Sequence, residues 1–157
     1  EGLMPVIDDP MAMPGRRGTS YPAEHAEGFQ GRIKRALTER LGLSQFGVNL
    51  TTLEPGAKSA QRHWHAHEDE FIYVIEGEIT LVTKDGEQRL APAMAAGFPA
   101  GDRNGHQLVN KSDRPATYLE IGTRAKDDDV EYPDIDMKGV KRDGRFQFTR
   151  KNGEPFS

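Results

Sequence analysis

The chain has 157 residues and a mass of 17.5 kDa, the size of one compact domain. Its 21 Lys and Arg against 25 Asp and Glu leave a formal net charge of −4, which excludes a chain-wide basic field for nucleic acid. Cysteine is absent, so disulfides, thiolate metal sites, iron–sulfur clusters and a thiol nucleophile are excluded together.

No run reaches the apolar length of a membrane span. The start, Glu1-Gly-Leu-Met4-Pro5, has neither the basic nor the apolar region of a signal peptide, so the expected setting is the cytoplasm. The lack of a Met at position 1 suggests that Glu1–Leu3 precede the native start at Met4, and N-terminal processing would leave the same sign.

Residues 1–44 read as an N-terminal arm, irregular where Pro5, Pro10, Pro14 and Pro22 punctuate it. Within it Arg32–Leu43 places Ile33, Leu37 and Leu41 at four-residue spacing, with Gly42 where a C-terminal cap would sit. This spacing predicts a short amphipathic helix, and Arg32, Lys34, Arg35 and Arg40 read as its solvated face rather than an anion site.

From residue 45 the texture becomes short β-runs: Phe46–Leu53, Phe71–Ile75, Ile79–Thr83, Gln88–Ala91, His106–Asn110 and Ala116–Ile121. Glu76-Gly77 reads as a tight hairpin and Lys84–Glu87 as a second turn with Asp85-Gly86 at its tip. Strands at such intervals, with Gly and Pro between them, predict an all-β sandwich or barrel over residues 45–123. Residues 124–157 form a tail, acidic from Asp127 to Asp136 and basic from Lys138, with Arg145–Arg150 as a late strand. That tail is expected to pack on the barrel or on a partner subunit.

Four of the five histidines lie between residues 63 and 106. In a strand, His63 and His65 face the same way, one pleat apart, and can share one cation at ligand distances of about 2.0–2.2 Å. Glu70 opens the next strand, and His106 follows the Pro99–Gly105 loop. Three imidazoles and one carboxylate suit one divalent ion per chain (Fe, Mn, Ni, Co or Zn), with places left for water or substrate. His67 shares the face of His63 and His65 if the strand runs on and would then replace His63 as a ligand; the spacing to Glu70 favours the earlier pair, so His67 reads as a loop residue outside the ligand set.

By strand parity Gln61 shares the face of His63, Ile72 and Val74 that of Glu70, and Leu108 that of His106. A mainly aliphatic lining of this kind offers few acids or bases. It tilts the chemistry toward the metal itself, away from a side-chain-driven isomerase. Tyr73, Tyr118, Glu120 and the arms are within reach of the pocket. Trp64 and Phe71 alternate off the ligand face, and Asn110 reads as a loop hydrogen-bonder.

The pattern Gly56-x6-His63-x-His65-x4-Glu70-x6-Gly77 resembles the first cupin motif, and Pro99-Ala-Gly101-x4-His106-x3-Asn110 resembles the second. Two spacers are longer than the usual pattern, Gly56 to His63 by about one residue and Gly101 to His106 by about two. The surrounding phrases are similar to those of small single-domain bacterial cupins of unassigned activity. The resemblance implies a double-stranded β-helix (a jelly-roll barrel), a metal at its mouth, and frequent homodimers in which terminal segments cross over. In such a dimer the acidic 127–136 segment would face Arg16, Arg17, Arg32, Lys34 and Arg35, with Ile33, Leu37, Tyr132 and Phe146 buried between subunits. The fold does not choose a reaction. The expected function is metal-dependent chemistry on a small organic molecule, as an oxygenase, or as a lyase or isomerase with the metal as Lewis acid. The alternatives are a non-catalytic metabolite-binding or sensor protein, or a metal that only stiffens the barrel. No nucleic acid or membrane partner is expected, and no catalytic side chain is assigned.

Overall fold

The computed structural model describes residues 5–157, so the expectation for Glu1–Leu3 lies outside the described residues. Alternating apolar and polar residues in Phe46–Leu53 form β3, the spine of the molecule. In chain order it is preceded by β1 (Arg16–Arg17), β2 (Arg32–Ala36) and the one-turn helix α1 (Leu37–Leu41). After it come β4 (Trp64–His65), β5 (Glu70–Glu76), β6 (Ile79–Thr83), β7 (Gly86–Leu90), β8 (Ala95–Phe98) and β9 (His106–Val109). The chain ends with β10 (Ala116–Thr123), β11 (Asp128–Glu131), β12 (Lys138–Arg142) and β13 (Arg145–Thr149).

One wall is a six-stranded antiparallel sheet in the order β1-β2-β3-β10-β5-β8. The other is assembled from two pieces, β13-β12-β11-β4 and β7-β6-β9, joined by the bridge between His63 and His106. Between the walls lies a core of Leu53, Ile72, Val74, Ile79, Leu90, Leu108 and Tyr118. A second, smaller cluster of Val130, Tyr132 and Met137 ties the tail to Tyr21 of the arm. Burial of this apolar surface is the main favourable term in folding.

Three readings of the sequence are corrected here. The helix expected over Arg32–Leu43 is helical only from Leu37 to Leu41, where Gly42 at φ 74° closes it as a left-handed cap. Arg32–Ala36 is a strand, paired from Arg32↔Leu53 to Ala36↔Asn49. Covering the open edge of β3 outweighs a four-residue spacing that a short isolated helix cannot exploit. Second, Glu76-Gly77 is not a hairpin: β5 pairs with β10 and β8, whereas β6 pairs with β7 and β9. The chain changes walls there, and Gly77 (φ 80°) is required because a Cβ would lie 2.6 Å from the carbonyl oxygen of Pro115. Third, the arms are not irregular throughout, since β1 and β2 extend the large sheet and β11–β13 build the small one.

Asn110 fastens the two walls where the second motif ends. It is fully buried, its amide donates to the carbonyls of Leu53 (2.8 Å) and Arg114 (2.7 Å), and Ser112 N donates to its Oδ1 (2.9 Å). Replacing it with Ala strands buried carbonyls, so Asn110→Ala is expected to destabilise the fold by about 2–4 kcal/mol, read by urea denaturation.

Candidate metal centre

His63 enters β4 hydrogen-bonded backbone to backbone with His106, the first residue of β9, with N–O distances of 3.1 and 2.8 Å. Period-two geometry turns His65 the same way as His63, and their ring centroids are 5.1 Å apart. The centroids of His63 and His106 are 4.6 Å apart. Glu70, on the facing wall, puts its carboxylate among these rings. Its Oε1 is 3.0 Å from His65 Nε2, and its Oε2 is 3.5 Å from His63 Nε2 and in contact with His106 Nε2. All four residues predicted as ligands therefore meet. His63, Glu70 and His106 form one group with ligating atoms within 4.8 Å of one another; His65 forms a second such group with Glu68 and Asp128, and its Nε2 reaches the first through Glu70 Oε1.

The far nitrogens of two rings are held. His63 Nδ1 lies 2.8 Å from the carbonyl oxygen of Gln61, an acceptor only, so Nδ1 carries a proton and Nε2 is the atom turned toward Glu70. His65 Nδ1 donates to Asp128 Oδ2 at 2.6 Å, and the other oxygen of Asp128 accepts the His67 backbone N–H. Carboxylate support of this kind fixes a ligating ring and raises its basicity. Phe98 lies flat on His106, the centroids 3.6 Å apart.

Charge is what makes the cluster a cation site. Burial favours the neutral acid of Glu70, but the charge on His63 and hydrogen bonds from His106, His63 and His65 outweigh it and hold the carboxyl well below its usual range. Burial also opposes a charge on His65, yet the hydrogen bonds to Asp128 and Glu70 prevail and raise its pKa to about 10. Burial, exceeding the pull of Glu70, pushes His106 down toward the neutral form that a metal needs. Glu70 Oε2 is buried between His63 and His106, its contacts supplied by their rings. A buried carboxylate meeting three imidazole nitrogens fits a bound divalent ion, and the donor set fits one of borderline hardness.

A cavity of about 180 Å³ opens beside the cluster. Of the residues expected to line it, Ile72 and Leu108 do so. Val74 is sealed in the core instead, with no exposed surface. Gln61 points away, its amide donating to the His25 carbonyl at 3.0 Å, because residues 59–62 bend irregularly and strand parity does not extend to them. His67 is exposed, as a loop residue outside the ligand set should be.

The lining is not mainly aliphatic, which corrects the sequence reading. Glu120 and Tyr118 project from β10 and Arg32 and Lys34 from β2, while the arms add Tyr21, Tyr132 and Phe146. Register explains this gathering. Lys34, Thr51, Tyr118 and Val74 form one row across four strands, and Asn49, Glu120 and Ile72 lie in the next inward-facing row. Lys34 Nζ is 3.3 Å from Glu120 Oε1. Burial raises the hydroxyls of Tyr118 and Tyr132 well above the usual range, so both remain hydrogen-bond donors. The missed signal was the alternation Arg32-Ile33-Lys34-Arg35, which read as a strand turns two cations inward. Tyr132 is buried within its own chain against Tyr21, 5.9 Å between centroids.

A double-walled antiparallel barrel with three histidines from one wall around a carboxylate from the other defines a cupin-type centre. The cupin domain family model matches residues 49–122. A sugar phosphate isomerase from a cupin superfamily, from Silicibacter pomeroyi, is 46% identical, with 95% of each chain covered and a TM-score of 0.89. The chain belongs to the cupin superfamily. A putative sugar phosphate isomerase from Acidithiobacillus ferrooxidans has the same fold at 24% identity (TM-score 0.82, covering 99% of this chain and 96% of that one). The polyketide cyclase RemF from Streptomyces resistomycificus shares the fold at 20% identity (TM-score 0.63, covering 76% and 80%). No curated protein matches the chain. Among the described residues, no helix is long and apolar enough to cross a membrane.

Elemental analysis after purification without added metal is expected to show loss of the ion in His65→Ala and His106→Ala and retention in His67→Ala. Asp128→Asn, which keeps the shape but weakens the support of His65, should lower metal affinity about 10–100-fold in a chelator competition titration.

Proposed function

We propose that this protein is a metal-dependent isomerase of a small phosphorylated sugar, holding one divalent ion (Fe, Mn, Ni, Co or Zn) at His63, His65, Glu70 and His106. The observation that carries this reading is the pairing of the His/Glu cluster with an acid–base group, Glu120, and two cations, Arg32 and Lys34, in one cavity. The 46% identical sugar phosphate isomerase supports the same reaction class.

The bound ion supplies Lewis-acid polarisation of a substrate carbonyl or hydroxyl oxygen. Glu120 is the group placed to take the proton from the carbon next to the carbonyl and return it to the former carbonyl carbon, while the hydroxyl proton passes to the former carbonyl oxygen, so that atoms and charge are conserved overall. Lys34, 3.3 Å from Glu120, offers its ammonium to the substrate's anionic group. Tyr118 and Tyr132 donate to sugar hydroxyls, and Phe146 of the tail helps to exclude water. An ionisable lining favours this proton chemistry over oxygen activation, for which an aliphatic wall would serve.

The test is proton NMR in deuterium oxide with a panel of aldose and ketose phosphates and protein loaded with each ion in turn. The expected result is interconversion of one pair with solvent deuterium entering at the carbon next to the carbonyl. No interconversion and no exchange with any ion would overturn the proposal. Glu120→Gln should keep its metal and lose about 10²–10⁴-fold in turnover.

A further inference from the structure

Arg32 and Lys34 line a second space as well as the reaction cavity. A groove of about 830 Å³ runs from their other side along β1 and the loop after it, bounded by Arg16, Arg40 of α1 and Arg124. Across it β1 pairs with β2, with Arg16 opposite Lys34, so both side chains project to the same face. Glu39 is the acid on its rim. In a chain of net charge −4, this is a local concentration of positive charge.

These cations are unequally engaged. Lys34 is 3.3 Å from Glu120, and Arg32 Nη1 donates to the Gly18 carbonyl at 3.0 Å, while Arg32 Nε is buried without a partner. Arg16, Arg40 and Arg124 have no ionic partner among the described residues. Holding unpaired guanidinium groups around one groove is repulsive unless an anion joins them. A single phosphate, with two negative charges at most, is matched by Arg32 and Lys34 in the shared wall. Three further arginines call for a second phosphoryl group.

We propose that the groove is a phosphoryl-binding site with room for two phosphoryl groups. It rests on the reading of the cavity as the place where a sugar phosphate reacts, and it narrows the substrate to a sugar with a diphosphate or a second phosphate. The sugar reaches past Arg32 and Lys34 toward Glu70, which lies three strands away from β2, roughly 14 Å from backbone to backbone.

The test is calorimetric titration of the full-length, metal-free protein with inorganic phosphate and with pyrophosphate. Pyrophosphate is expected to bind at least tenfold more tightly, with an affinity that falls as salt is raised. Arg16→Gln, Arg40→Gln and Arg124→Gln should each weaken pyrophosphate about three- to tenfold, and the triple variant should erase its advantage over phosphate. All three side chains are exposed, so the variants are expected to fold, and circular dichroism checks that they do. Equal binding of the two anions would overturn the proposal. So would an advantage that survives the triple substitution, or one that His65→Ala removes instead, which would place the anion at the metal centre. Binding as expected without any sugar isomerisation would sink the isomerase reading alone and leave the groove's assignment standing.

Discussion

A carboxylate buried among three imidazoles is the constraint on which the site depends. Glu70 cannot be ionised there for free, since desolvating a charge costs several kcal/mol unless matched charge and hydrogen bonds surround it. The structure answers with rings delivered from the opposite wall, His63 and His65 around β4 and His106 on β9. The same condition keeps the barrel mouth in register, because the His63–His106 bridge joins the two halves of the second wall. A divalent ion would satisfy the cluster better than protons do. Bound among them, it would draw on all three imidazoles together, whereas a proton serves one.

The support of that cluster extends well beyond the two motifs. Asp128, almost fully buried, belongs to the tail and reaches back across 63 positions to His65. Glu68 turns its other side to Lys141 and to the Ala125 backbone, so the loop between β4 and β5 is held by the tail as well. On the other flank the N-terminal arm supplies the cations of the cavity by adding β2 to the large sheet. The family match spans residues 49–122, and much of what gives this centre its character lies outside it.

How much of this was legible follows from the range of each interaction. Strands such as Phe46–Leu53 and Ile79–Thr83 carry their alternation within a few residues and were read with their observed bounds. Ala95–Phe98 has only small residues before its Phe, which leave no period to detect, so β8 passed for a connection. Arg32–Ala36 satisfied two periodicities, and only the open edge of β3 decides between them. The four candidate ligands were legible because two short motifs hold them. Their partner Asp128 was not, because a single acid in an acidic tail carries no local sign of its destination. Likewise the parity that placed Ile72 and Leu108 in the cavity failed for Gln61, where the backbone is no longer a strand.

The pairing of β4 with β11 has an outcome for how the molecule comes into being. Synthesis runs from the N-terminus, so the histidine-bearing segment emerges well before the strand that braces it. Until Asp128 and Val130 arrive, His65 has neither its carboxylate nor its ladder neighbour, and its ring is free to swing. Ion capture at full strength would therefore await the docking of β11 on β4. A nascent chain stalled before that point would carry both motifs and still be a poor chelator.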